Sequence, residues 1–107
     1  MADKKLTLAD LQIKAMPTRK LPNNGLYGAV GLGGEAGEFL NIRKKIERDE
    51  PEGTELQERR AALLSEGGDI LFYLRLALLE QGYTLEDAAK YLLAKLDKMA
   101  LEQKLSG

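Results

Sequence analysis

The sequence has no cysteine and no histidine in its 107 residues. Without cysteine there is neither a disulfide framework nor a thiolate metal site, as is usual in a reducing compartment. Without histidine the commonest general base and a common zinc ligand are missing, so any metal must be a hard cation bound by oxygen, and any base must be a carboxylate, a lysine or a tyrosine. A di-iron helical bundle is disfavoured for the same reason, because its ligands include histidine.

Net charge and long apolar runs are also scarce. The 16 basic and 17 acidic residues leave a formal net charge of -1, so no global field attracts the chain to nucleic acid or to an anionic membrane. No apolar run reaches the roughly 18 residues that span a bilayer, and the N-terminus lacks the apolar segment of a signal peptide. We therefore expect one soluble, cytoplasmic domain over residues 1–107, with neither nucleic acid nor a membrane as a partner.

The apolar residues follow helical spacing, which predicts an all-α fold without strands. Thr7 is the predicted N-cap of a short helix that Pro17 stops, residues 18–25 are a predicted loop, and Thr84 with Asp87 forms a predicted capping box. The predicted helices span residues 8–16, 26–48, 54–81 and 84–103. The turn DEPEGTE separates the two long helices, so we expect an antiparallel helical hairpin completed by the flanking helices.

The second half of the third predicted helix is apolar on nearly every side. Between Ile70 and Leu79 only Tyr73 and Arg75 interrupt the aliphatic and aromatic residues. A helix of this kind is usually buried on more than one side, which a small hairpin does not achieve alone. We therefore expect a homo-oligomer, a dimer or a tetramer, in which this segment packs against a partner chain.

Two acidic pairs lie in the predicted hairpin. Glu35 and Glu38 stand in GLGGEAGEFLN, and Glu66 and Asp69 in SEGGDILFYL, and a spacing of three residues puts both members of a pair on one helix face. The midpoint between the pairs is Glu52, in the turn, so the hairpin should bring four carboxylates to the same height. Because buried carboxylates repel one another, we expect them to bind a cation, magnesium or else manganese.

Glycines surround both acidic pairs. Each costs about 1 kcal/mol relative to alanine in a helix interior, and such violations of local preference are typical of functional sites. We interpret them as room for ions and a ligand, and the alternative is that they only allow tight helix packing. The glycines concerned are Gly28, Gly31, Gly33, Gly34, Gly37, Gly67 and Gly68.

The order GLGGEAGEFLNIRKK, SEGGDILFYL and GYTLEDAAKYLLAKL resembles the MazG-like nucleoside triphosphate pyrophosphohydrolases of the all-α NTP pyrophosphatase superfamily, over roughly residues 8–98. The resemblance implies a helical bundle built from an obligate dimer, sometimes a tetramer. It also implies magnesium-dependent hydrolysis of a nucleotide between its α and β phosphates, which yields a nucleoside monophosphate and pyrophosphate. The chain departs from the family pattern at Gly67, Leu92 and Met99, so the reaction class is better indicated than the substrate.

The resemblance assigns the four acids to magnesium binding and catalysis, with one of the glutamates as base. Lys95 matches the lysine near the end of the family pattern and is expected to contact phosphate. Lys45 lies two turns beyond Glu38 on the same face, and Tyr73 lies four residues beyond Asp69. Both are therefore further candidates for phosphate contacts, against the alternatives of a solvated lysine and an aromatic packing contact.

Two other functions are left open by the sequence. A non-catalytic helical interaction module would pair the acids with the basic runs RKK or ERR, and it would show neither metal-dependent stability nor nucleotide turnover. A phosphoribosyl-ATP pyrophosphohydrolase, a related enzyme, would use the same acids on another nucleotide.

Overall fold

The computed structural model describes residues 5–15 and 26–106, and this part of the chain forms four α-helices and no strand. The helices are α1 (Leu8–Lys14), α2 (Tyr27–Asp49), α3 (Gly53–Leu79) and α4 (Leu85–Ser106). The all-α prediction is confirmed, and both ends of α2 and α3 lie within two residues of their predicted bounds. The predicted loop over residues 18–25, with Met16 and Pro17 before it, lies outside the described residues.

The turn between α2 and α3 is short and tightly bonded. Glu50 adopts a left-handed conformation with φ 45°, Gly53 follows with φ 58°, and Pro51 between them is buried. Arg59, on the second turn of α3, reaches back to α2: its Nη1 donates to Asp49 Oδ2 at 2.9 Å and to the carbonyl of Lys45 at 3.2 Å. These bonds join the two helices directly beside the turn, where a two-helix packing would otherwise fray.

Helices α2 and α3 pack closely along their length, in antiparallel register. Gly28 lies against Ala77, and Gly31 lies against Tyr73. The contact of Arg59 with the Lys45 carbonyl has the same register, because each of these three pairs is centred within one residue of position 52. The hairpin that the sequence predicts, with its midpoint at the turn, is therefore confirmed.

The ends of the other helices follow their capping residues. Thr7 caps α1 in a capping box with Asp10, and the predicted box at α4 forms with Thr84 Oγ1 accepting from Asp87 N at 3.1 Å. Gly82, with φ 84°, ends the α3 segment as a left-handed residue. Helix α4 continues to Ser106, three residues beyond its predicted end.

The apolar interior of the single chain is thin. The apolar residues at helical spacing on α2 and α3 are only half-buried, namely Leu32, Phe39, Ile42, Ile46, Leu63, Ile70 and Leu74. Pro51 and Leu85 are the two apolar side chains that are buried in the described part of the chain. In the predicted partner-facing segment, Leu71 and Leu79 are exposed whereas Arg75 is completely buried. None of the described helices combines the length and the apolar content that a membrane crossing requires.

Candidate functional site

Three of the four predicted acids meet across the hairpin. Glu35 lies on α2, and Glu66 and Asp69 lie on α3. One carboxylate oxygen from each of the three residues lies within 4.8 Å of the corresponding oxygens of the other two. Glu35 and Glu66 are half-buried, and Asp69 is exposed at the edge of the group. Because the cluster takes ligands from two helices and is open on one side, it has the form expected of a site for a hard cation that also keeps outside ligands.

The carboxyl of Glu66 is the group in this cluster whose pKa is perturbed. Its side-chain interaction with Glu35, followed by burial and by the negative charges of Glu35, Asp69 and Glu38, raises the pKa of Glu66 to about 7. The second oxygen of Glu66, Oε2, is buried and has no hydrogen-bond partner. The cluster therefore lacks positive charge at the point where its oxygens converge.

Glu38 lies next to the cluster but outside it. Its side chain is exposed, and it does not belong to the three residues whose oxygens converge. It is near enough for its charge to contribute to the raised pKa of Glu66. The prediction placed four acids at one height on the packed side, whereas the structure brings three together and leaves the fourth at the rim.

The basic residues near the acids in sequence make their ion pairs elsewhere. Arg43 pairs with Glu47 within α2, and Arg59 pairs with Asp49 and Glu55 near the turn. In the described ranges, 5–15 and 26–106, no ion pair includes an acid of the cluster. The pairing that a purely structural role of the acids would require is therefore not formed within this part of the chain.

The glycines divide into two groups. A Cβ at Gly28 would lie 2.7 Å from Ala77 Cα, and one at Gly31 would lie 2.8 Å from Tyr73 Cγ, so these two glycines allow α2 and α3 to approach. The other five have no atom within 4 Å of an added Cβ and face open space: Gly33, Gly34, Gly37, Gly67 and Gly68. Tight packing thus explains two glycines, and the interpretation as free space agrees with the rest.

Tyr73 lies beside the cluster. Its ring contacts Phe72 edge-on at 5.3 Å and Tyr27 at 6.1 Å between centroids. A hydrogen bond with Tyr27, together with the charges of Glu35 and Asp69, raises the pKa of Tyr73 above its ordinary value. The position of Tyr73 near the acids agrees with both the packing role and the phosphate-contact role.

The two predicted lysines lie on exposed surfaces. Lys45 is exposed on α2, and its backbone carbonyl accepts a hydrogen bond from Arg59 Nη1. Lys95 is on α4, in a stretch that is exposed throughout. Within one chain neither side chain joins the carboxylate group, so their contacts with phosphate stay predictions.

Arg75 is the residue whose environment the sequence did not predict. Its guanidinium is completely buried, stacks over the Phe72 ring at 5.2 Å, and has no hydrogen-bond partner on any of its three nitrogens. Burial lowers the pKa of Arg75. Arg75 is the one charged residue in the apolar run of α3, so the sequence does mark it as unusual. The apolar run indicates that this part of the helix is covered, but it does not indicate that Arg75 itself is buried.

A separate groove of about 340 Å³ lies where α3 meets α4, and its lining is mainly apolar. Its walls are formed by Leu78, Tyr83, Asp87, Ala88 and Tyr91. None of the predicted site residues lines it, so it belongs to a different part of the surface from the acids.

The chain is similar over a limited segment to the "Gene 37 protein" of Mycobacterium phage L5, with 49% identity over 47 residues. The match covers 44% of this chain and 40% of that protein. No protein-family model matches the chain. No solved structure matches it either.

Proposed function

We propose that this chain is a magnesium-dependent nucleoside triphosphate pyrophosphohydrolase, which cleaves its substrate between the α and β phosphates to give a nucleoside monophosphate and pyrophosphate. The observation that carries the proposal is the convergence of three carboxylates from two helices within 4.8 Å. The reaction class comes from the resemblance of the acidic motifs and their order to the MazG-like enzymes.

The residues present suit a hard cation. The donor set is all oxygen, as magnesium and manganese prefer. Glu66 Oε2 is buried without a partner, and the neighbouring carboxylates raise the pKa of Glu66. A divalent cation would take the free oxygen as a ligand and would offset the negative charge of the cluster.

Each acid then has a role. Glu35, Glu66 and Asp69 hold the metal, and Glu38 at the rim is placed to complete the ligand set or to accept the proton of the attacking water. When bound, magnesium supplies the positive charge that orients the phosphates and offsets the charge that builds up during cleavage. Tyr73 donates to a phosphate oxygen from beside the cluster, and the five glycines that face open space leave room for the nucleotide.

We also propose that the active form is a homo-oligomer. With two buried apolar side chains in the described part of the chain, Pro51 and Leu85, a single copy has little interior to stabilise it. Exposed leucines occur on both long helices, including Leu40, Leu64, Leu71 and Leu79. A dimer or a tetramer would cover part of this surface.

The test is a panel of standard and modified nucleoside triphosphates, with phosphoribosyl-ATP included, assayed with magnesium for released pyrophosphate. We expect release with at least one nucleotide, and none in EDTA. Asp69→Asn should reduce release to background, because it removes charge from the metal site. Glu58→Gln is the matched control, since Glu58 is an exposed acid on the same helix, and it should keep wild-type activity.

Each other outcome identifies a different function. Turnover of phosphoribosyl-ATP alone would show the related pyrophosphohydrolase. No turnover of any nucleotide, together with no effect of magnesium on thermal stability, would refute the enzyme and favour a non-catalytic interaction module.

A further inference from the structure

Helix α4 is covered by its own chain only at its beginning. Leu85 is 3% exposed, and its backbone N–H donates to Gln12 Oε1 of α1 at 3.2 Å. Every residue from 90 to 106 is exposed. Nearly five turns of a regular helix therefore have no cover from the chain to which they belong.

The uncovered part of α4 continues an apolar stripe that starts in the covered part. Leu85, Ala89, Leu92, Leu96 and Met99 recur at alternating spacings of four and three residues, which is the spacing of a coiled-coil seam. We call these five residues the α4 seam. Its first two members are buried or half-buried, whereas Leu92, Leu96 and Met99 are 56%, 49% and 61% exposed. The seam thus extends beyond the cover that one chain provides.

We propose that the α4 seam pairs with the α4 seam of a second copy in antiparallel orientation, with Leu96 of each chain against Met99 of the other. The seam residues alternate between the a and d positions of a heptad, and in an antiparallel pair the a positions of one helix pack against the d positions of the other. With Leu96 against Met99 of the partner, Leu92 therefore lies opposite Gln103 of the partner. The two chains are related by a two-fold axis near residues 97 and 98, and the same surface of each copy forms the interface.

The charges beside the seam favour this orientation. Lys95 and Glu102 occupy equivalent positions on one flank of the seam, one heptad apart. In the antiparallel register Lys95 of each chain lies near Glu102 of the other, which gives two reciprocal ion pairs across the axis. In a parallel pair Lys95 would face Ala100 of the partner instead. Charge complementarity therefore selects the antiparallel form.

The extent of the uncovered surface agrees with the same register. The exposed stretch of α4, residues 90–106, is centred on residue 98, next to the proposed axis. A partner helix in this register would run along that stretch and end where the chain begins to cover its own α4. The uncovered stretch is therefore the part of α4 that a second copy would occupy.

This inference depends on α4 and not on the acidic cluster. It gives Lys95 a role other than the phosphate contact implied by the family resemblance. The two roles are separable, because the oligomeric state is measured without nucleotide or metal, and an inactive chain can still form the pair.

The first test compares two leucines of α4 that are similarly exposed in the single chain. Leu96 belongs to the seam, and Leu101, 56% exposed, lies on the opposite face. Leu96→Glu should lower the molar mass measured by light scattering relative to the wild type, because it buries an unpaired charge at the proposed axis. Leu101→Glu should leave the mass unchanged. A monomeric wild type, or equal masses for the wild type and Leu96→Glu, would overturn the proposal.

The second test uses the absence of cysteine from the chain and does not require a disruptive variant. Leu96→Cys and Met99→Cys are oxidised separately and as a mixture, with Asp97→Cys, on the outer face, as the control. Disulfide-linked dimers should form in the mixture and link one variant to the other, because the register brings Leu96 near Met99 of the partner. Cross-linking of each variant with itself would indicate a parallel pair, and cross-linking no faster than that of Asp97→Cys would indicate no pair. Either result would refute the antiparallel seam.

Discussion

Two glycines of α2 offer a matched test of how α2 and α3 pack. Gly28 is buried against α3, and its N–H donates to Glu80 Oε1 at 2.8 Å. A Cβ at this position would lie 2.7 Å from Ala77 Cα, still nearer to the Ala77 nitrogen, and 2.5 Å from Glu80 Oε1. Because Ala77 contributes backbone atoms that have no freedom to rotate away, Gly28→Ala would force the helices apart. Gly33 lies five residues further along α2, and no atom lies within 4 Å of a Cβ added there.

The same substitution should therefore have opposite effects at the two positions. Gly→Ala within a helix gains about 1 kcal/mol of helix preference, and overpacking a tight contact costs about 1–3 kcal/mol. We expect Gly28→Ala to lower the free energy of unfolding by up to about 2 kcal/mol in net terms and Gly33→Ala to raise it by up to about 1 kcal/mol. The melting temperatures of the two variants should differ by on the order of 10 °C.

The measurement is urea and thermal unfolding followed by circular dichroism at equal protein concentrations, since an oligomer makes the melting temperature depend on concentration. Equal stabilisation by both substitutions would show that α2 and α3 do not approach at Gly28. The close helix packing, and with it the meeting of the acids across the hairpin, would then be wrong.

Three further predictions concern single side chains. The pKa of Glu66 lies above its ordinary value of 4.5, at about 7, so the fold binds a proton that the unfolded chain releases. The urea midpoint of the metal-free protein should therefore decrease as the pH rises from about 5 to about 8. The decrease should be smaller in Glu66→Gln or with magnesium present. Arg75→Met should leave stability unchanged or raise it by about 1–4 kcal/mol, because it removes a buried charge that has no hydrogen-bond partner; a strongly destabilised variant would show that the guanidinium has an acceptor after all. Arg59→Ala should lower the urea midpoint more than Arg43→Ala does, because the Arg59 side chain joins two helices whereas that of Arg43 bonds within one; equal losses would contradict a clamp at the turn.

The helices and their register were determined by the sequence itself, because the relevant physics is local. Apolar spacing decides which residues of a helix share a face, and the capping pair Thr84 and Asp87 decides where α4 begins. A single turn between two helices then leaves an antiparallel hairpin as the simplest packing. Once Pro51 and Gly53 mark that turn, the constant rise of a helix determines which heights meet, so the opposition of Glu35 to Glu66 and Asp69 followed from counting.

The surroundings of individual side chains were decided only in the tertiary structure. A spacing of three residues places Glu35 and Glu38 on one side of α2, yet Glu35 joins the cluster whereas Glu38 is exposed at its rim. Gly28 and Gly33 are equivalent as sequence, and only the contact with Ala77 makes one of them indispensable to the packing. Arg75 is buried although it is charged, whereas Leu71 and Leu79 of the same apolar run are exposed. Periodicity decides which face of a helix is covered, but whether a particular atom on that face meets backbone, solvent or another charge depends on the docking of two surfaces, which no single segment of sequence contains.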